Sequence, residues 1–254
     1  MLSTYVDNQR TSTRVDTYGG TVKIETAEQA APGRTSEDRI RVTTNAVIVL
    51  DGVTSRRPPD RNGGWYATKL ADELARLIND TDPLTDVLAQ AITNLVTEHD
   101  LVPGDSPSAT ASIVRWTEHR IDALVLCDTP VVAFGRTTRV LEDTRLDDLR
   151  PQPDILAWKN KPGGWWVAEA EPVAAHQART ASWPRAEIEK VIALTDGVSC
   201  GVSEYELFTW EDLKEMPLSE VLDRIREAER GDSEHKRWPR FKTHDDQAIA
   251  RLTP

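Results

Sequence analysis

Four acidic stations mark this chain of 254 residues: Glu37-Asp38, Asp51, Asp196 and Asp245-Asp246. Two of them share a setting. Ala46-Val47-Ile48-Val49-Leu50 runs into Asp51-Gly52-Val53, and Val191-Ile192-Ala193-Leu194-Thr195 runs into Asp196-Gly197-Val198. A short apolar run bounded by a turn residue reads as a buried strand, and the glycine lets the backbone bend just beyond the carboxylate. Both carboxylates are therefore expected at strand tips. Oxygen ligands of this kind suit hard divalent cations such as Mg²⁺. Asp38 lies thirteen residues before Asp51, a spacing at which two antiparallel strands joined by a turn bring both to one end of a sheet. Asp196 and Asp245 must arrive from distant sequence. Asp-Gly is also an ordinary turn, so the weight lies in the set rather than in any one pair.

The elements that must position these residues follow from periodicity. Residues 1–16 are polar and read as a flexible N-terminal segment; 17–254 read as one domain. Gly20 to Thr26 alternates like a half-exposed strand, and a second strand covers Ala46 to Leu50. From Gly64 the period changes, with Tyr66, Leu70, Leu74, Leu77 and Ile78 on one helical face, and a second helix runs from Pro83 to Thr97. Strands return at Ala109 to Trp116, Ile121 to Leu126 and Pro130 to Phe134. A loop-rich stretch from Glu142 to Arg185 precedes a strand at Glu187 to Thr195, a late helix ending near Gly231 and a final strand from Gln247 to Leu252. Clustered strands flanked by helices predict an α+β fold with much antiparallel sheet, not βαβ alternation.

Composition narrows the partners. Thirty-one basic against 42 acidic residues give a formal charge of −11, which argues against nucleic acid and against anionic membrane surfaces. No apolar signal core opens the chain, and no stretch approaches the roughly 18 to 20 apolar residues of a membrane span. A soluble, cytoplasmic protein is expected. Cys127 and Cys200 sit in or beside apolar stretches and read as buried free thiols. Neither begins a Cys-x5-Arg loop, since Ala133 and Glu206 occupy the arginine positions. Ser106, Ser108 and Thr110 lack a placed His-Asp pair and read as turn and packing residues. His244, beside Asp245, reads as an exposed neighbour.

The ordered series Gly33-Arg34-Thr35-Ser36-Glu37-Asp38, Val49-Leu50-Asp51-Gly52, Ser108-Ala109-Thr110-Ala111, Leu126-Cys127-Asp128-Thr129, Leu194-Thr195-Asp196-Gly197-Val198 and Asp245-Asp246 resembles the type 2C metal-dependent serine/threonine protein phosphatases. The resemblance implies a four-layer α-β-β-α sandwich of two antiparallel sheets flanked by helices, with two Mn²⁺ or Mg²⁺ ions at one end. Carried over, Asp51 bridges both ions, Glu37 and the Gly52 carbonyl serve one, and Asp196 with Asp245 holds the other. Asp38 supports the site through metal-bound water, and Asp128 with Asp196 binds a weaker third ion. Asp51, Asp196 and Asp38 form the implied catalytic set. A water shared by the ions then attacks phosphorus in line, with no side-chain nucleophile.

The departures from the family pattern bear on substrate. Arg34 precedes Glu37 by three residues, where the family's phosphate-binding Arg precedes it by four. Val53 to Pro59 intervenes before a late Gly63-Gly64 pair, and the His that usually follows Asp-Gly is absent. Arg34, Arg56 and Arg57 are the candidates for substrate phosphate, the last two in the inserted loop beside Asp51. Lys161 to Ala181, with Trp165, Trp166 and His176, falls where the family carries a variable flap; the two tryptophans read either as substrate anchors or as packing into the body. The implied substrate is a phosphorylated protein. A small phosphorylated metabolite is the alternative, and a catalytically inactive binding protein a second one. The last is disfavoured because all five principal side-chain ligand positions are acidic.

Overall fold

The computed structural model describes residues 9–17, 20–53 and 61–254. Eleven strands are found among them. A six-stranded sheet has the order β1 (Gln9–Thr17), β2 (Gly20–Gln29), β11 (Gln247–Thr253), β10 (Ile188–Leu194), β7 (Val131–Gly135), β8 (Arg139–Leu141). A five-stranded sheet has the order β3 (Arg39–Val42), β4 (Ala46–Gly52), β5 (Ala109–Trp116), β6 (Arg120–Leu126), β9 (Arg179–Pro184). Every neighbouring pair is antiparallel.

The period-two geometry of a strand explains the layers. Val47 and Val49 of β4 face the other sheet, in one core cluster with Val114 and Trp116 of neighbouring β5 and with Val191 and Leu252 of the facing sheet. Ile48 and Leu50 point the opposite way, onto Tyr66, Leu70 and Leu74 of α1 (Gly63–Leu77) and Leu88 and Ile92 of α2 (Leu84–His99). In β10, Val191 and Ala193 face the inter-sheet core, whereas Ile192 and Leu194 pack on Val221, Leu222 and Ile225 of α6 (Leu218–Gly231). Both faces are covered over Ala46–Leu50 of β4 and Val191–Leu194 of β10, so these runs are continuously apolar instead of alternating. The expected α-β-β-α sandwich is the fold observed. No helix among the described residues is long and apolar enough to cross a membrane.

Several local features depart from the sequence expectation. β1 falls, but for Thr17, in the segment expected to be flexible, and it pairs with β2 from Gly20 to Glu28. β9 lies in the stretch read as loop: it is a sheet edge, and Trp183 is its one buried residue, so it carries no alternating apolar signal. Asp196 opens a helix, α4 (Asp196–Ser203), where a turn was expected. The same stretch read as loop holds α3 (Arg145–Leu149), and α5 (Trp210–Glu215) follows α4, started by a capping box between Thr209 and Asp212.

Register carries the acidic stations to one end. Arg39 pairs with Leu50, so Asp38 and Asp51 leave the β3–β4 hairpin together. Leu194 pairs with Ile249, which sets Asp196 near Asp245-Asp246. Beside Asp51 the chain returns against the start of α1. A Cβ on Gly63 would stand 2.5 Å from the Val53 carbonyl oxygen and 2.6 Å from the Gly52 carbonyl carbon. These neighbours are backbone and cannot swing away, which accounts for a glycine there. Gly63→Ala is expected to lower stability by about 2–4 kcal/mol in chemical denaturation; a loss under about 0.5 kcal/mol would contradict this close approach.

Candidate active site

The ends of β4, β6 and β10 open onto a cleft of about 930 Å³ lined by Asp51, Asp128, Asp196 and Asp245, with Lys242 and Arg150 among the cations. Four carboxylates from distant segments therefore share one space. The repulsion shows in the proton affinities of Asp51 and Asp196. Burial pushes the Asp51 carboxyl well above the usual range, and Asp196, Asp38, Asp128 and Asp245 push it further. Asp196 is pushed up to about 8 by burial and then by Asp128 and Asp245, while Lys242 and a hydrogen bond with Asp51 pull it back. Asp128 is raised by burial and partly relieved by Arg150, whose guanidinium lies 3.5 Å away.

Behind this front rank, Asp38 accepts a hydrogen bond of 2.8 Å from the Thr195 hydroxyl. Burial, then Asp246, holds its carboxyl well above the usual value against the pull of that bond. Glu37 is buried, and its carboxylate accepts from the Gly64 amide at 3.4 Å, in the first turn of α1. The Gly52 amide donates to the Glu37 carbonyl at 3.2 Å, fixing the two motifs together. Asp246 is buried and accepts from the amides of Ala31 and Glu37 at 2.7 and 2.8 Å. Arg226, also buried, donates to the Asp245 carbonyl at 2.7 Å and to Glu229 at 2.6 Å. Glu229 lies 2.8 Å from Nδ1 of His244. His244 is thus tied into a buried network and is not simply an exposed neighbour.

Arg34 is exposed, lies 3.8 Å from Asp246 and is not part of the cleft lining. Arg56 and Arg57 lie outside the described residues. In the flap segment both tryptophans are buried: Trp166 packs in the core beside α1 and α2, and Trp165 donates its indole N–H to the Ile155 carbonyl at 3.0 Å. Packing is the reading the structure favours for both, although Trp165 also lines the cleft. His176 stands 3.7 Å from Asp86. Cys127 and Cys200 are free and buried; burial, and next the carboxylates Asp128 and Asp196 respectively, pushes both thiols well up, so neither is a thiolate nucleophile.

Among the described residues no group of three His, Cys, Asp or Glu side chains forms a ready-made ion cage. Lys242 Nζ reaches both Asp245 oxygens, at 2.9 and 3.1 Å, and Asp196 is hydrogen-bonded to Asp51. The donor set nevertheless fits a hard divalent cation. It offers oxygen atoms alone, with a surplus of negative charge that otherwise has to be protonated. Thr110, the register partner of Asp51, adds a buried hydroxyl with no hydrogen-bond partner at the cleft wall.

Residues that sequence reasoning missed are Lys242, Arg226, Glu229 and Thr195. The Arg226–Glu229 pair, three apart on α6, looks in sequence like a solvated helix face.

A sequence model of the protein phosphatase 2C family matches residues 29–237. No curated protein matches the sequence. Among solved structures, the serine/threonine phosphatase PstP/Ppp of Mycobacterium tuberculosis is similar at a TM-score of 0.60 and 15% identity, over 91% of this chain and 98% of that one. A catalytic domain of PstP in complex with two manganese ions gives 0.59 and 15%, over 91% and 97%. Serine/threonine phosphatase Stp1 of Staphylococcus aureus gives 0.58 and 12%, over 91% and 94%.

The raised carboxyl groups set a pH dependence. Asp196 titrates near 3.8 in its ordinary state and at about 8 in the fold, so the folded chain holds more protons than the unfolded one between these values. Stability from this group is fully present below about pH 4 and is lost as pH rises through about 8. With chelator present, the thermal midpoint should fall across that window, and Asp196→Asn should flatten the fall. A variant with the wild-type pH profile would contradict the assignment.

Proposed function

Because the chain belongs to the protein phosphatase 2C family, we propose that this metal-dependent phosphatase removes phosphate from phosphoserine and phosphothreonine in proteins, at the cleft that collects Asp51, Asp128, Asp196 and Asp245. The observation that carries this reading is the convergence of four carboxylates from separate segments, of which Asp51 and Asp196 are raised in proton affinity by burial and by their acidic neighbours. Asp51 is assigned to both of two ions. Glu37 and the Gly52 carbonyl are assigned to one and Asp196 with Asp245 to the other; Asp38 has a supporting place, and Asp128 with Asp196 would take a third, weaker ion. Bound divalent ions supply Lewis acidity, lowering the pKa of water and offsetting charge on phosphoryl oxygens.

The chain's own residues prepare that chemistry. Asp246 holds the Glu37 backbone, Thr195 orients Asp38, and Arg226 fixes the Asp245 backbone, so each ligand comes from a position locked by hydrogen bonds. Arg56 and Arg57 follow Asp51 closely in sequence and are assigned to the substrate phosphate; Arg34 faces Asp246 and has a weaker claim. Reaction without a covalent enzyme intermediate is supported by the two inert thiols. Solved phosphatases of similar fold are described as serine/threonine enzymes, one of them with two manganese ions, which supports both the substrate class and the ion count. A cytoplasmic setting suits the free, buried Cys127 and Cys200.

Hydrolysis of a phosphothreonine peptide and of an aryl phosphate should be measured with Mn²⁺, Mg²⁺ or chelator. Turnover should require metal, favour the peptide in kcat/KM, and fall by about 10³-fold or more in Asp51→Asn. Turnover in chelator, or an undiminished Asp51→Asn, would overturn the reading; preference for the aryl ester would move it to a small phosphorylated metabolite.

A further inference from the structure

Three cationic side chains line the acidic cleft among the described residues: Arg150, Arg240 and Lys242. Arg240 is committed to its own loop. It donates to Asp232 Oδ2 at 2.7 Å and to the carbonyls of Trp238, Asp232 and Glu229 at 2.9, 2.8 and 3.2 Å. Arg150 is held by Asp147 at 2.7 Å and by Asp128 at 3.5 Å. Lys242 contacts the two oxygens of Asp245, and Asp245 is the carboxylate that the proposed function assigns to a divalent ion. One carboxylate cannot serve an ammonium through both oxygens and a doubly charged cation at full strength. The chain leading to Lys242 is anchored, since Asp232 accepts from the amides of Lys236, Arg237 and Trp238 at 2.9, 3.0 and 3.1 Å and from the Arg240 side chain at 2.7 Å. An ammonium displaced from Asp245 therefore stays at the cleft, on a flexible stem with three rotatable donors.

We propose that Lys242 competes with the divalent ion for Asp245 and, once displaced, binds the phosphoryl oxygens of the substrate. This rests on the metal-dependent phosphatase reading. It makes metal uptake and phosphate capture two halves of one exchange: the ion takes the carboxylate, and the ammonium turns to the new anion entering the cleft. Lys242 has not been singled out by the sequence pattern, where it is one lysine in a polar stretch.

Two calorimetric titrations test the exchange in wild type, Lys242→Met and, as a second replacement, Lys242→Gln. Mn²⁺ is titrated into chelator-stripped protein, and inorganic phosphate into Mn²⁺-loaded protein. Loss of the competing ammonium should tighten Mn²⁺ binding by about tenfold, while phosphate binding should weaken by about tenfold. Both variants binding Mn²⁺ no more tightly than wild type would overturn the proposal, and so would tighter Mn²⁺ binding with unchanged phosphate affinity. If wild type binds and uses Mn²⁺ while the variants match it, only the role of Lys242 falls. A wild type that takes up no Mn²⁺ brings down the metal-dependent reading and this proposal together.

Discussion

Repulsion among carboxylates gathered in one partly buried cleft is the term to which the rest of this molecule answers. Asp51 and Asp196 share a hydrogen bond, and Asp38, Asp128 and Asp245 add their fields from three sides. Left in water, these groups would ionise and separate. The two packed sheets do not let them separate, because each carboxylate sits at or beside the end of a strand held in register within the sandwich. Proton binding is one relief, and it is visible in the raised affinities. Cations are the other, supplied within the chain by Lys242 and Arg150.

The surrounding hydrogen bonds make sense as the scaffold that keeps this arrangement rigid. Asp246 contributes no oxygen to the cleft lining; it ties the amides of Ala31 and Glu37 to the segment entering β11. A buried carboxylate with two amide donors is among the stronger neutral-to-ion contacts a fold can offer, and it joins sequence more than 200 residues apart. Arg226 performs the matching task for Asp245 from α6, with Glu229 balancing its charge. The contact between Gly52 and Gly63 brings the first turn of α1 to Glu37. The front rank of acids is thus presented by a back rank of backbone ties.

Much of this was legible in the residues. The strand read over Ala109 to Trp116 is the one observed, and the hairpin that carries Asp38 and Asp51 to one end was implied by their spacing. Apolar runs covered on both faces announce themselves, as in β4 and β10. β9 did not, because an edge strand with one buried tryptophan lacks any alternation. The helix beginning at Asp196 was missed because Asp-Gly signals a turn as readily as a first helical turn. At the site, carboxylates stood out by type and setting. Lys242, Arg226 and Glu229 could not, since their roles depend on which groups face them across the fold, and a charged residue in sequence carries no mark of its partner.

A crystal grown with Mn²⁺ and recorded at the manganese absorption edge would decide whether this cleft is built to be neutralised by divalent ions. Anomalous peaks between Asp51 and Asp196, with Asp245 turned toward an ion and Lys242 Nζ withdrawn from it, are the expected result. A map without manganese in the cleft, with Lys242 still on both oxygens of Asp245 at saturating Mn²⁺, would contradict it.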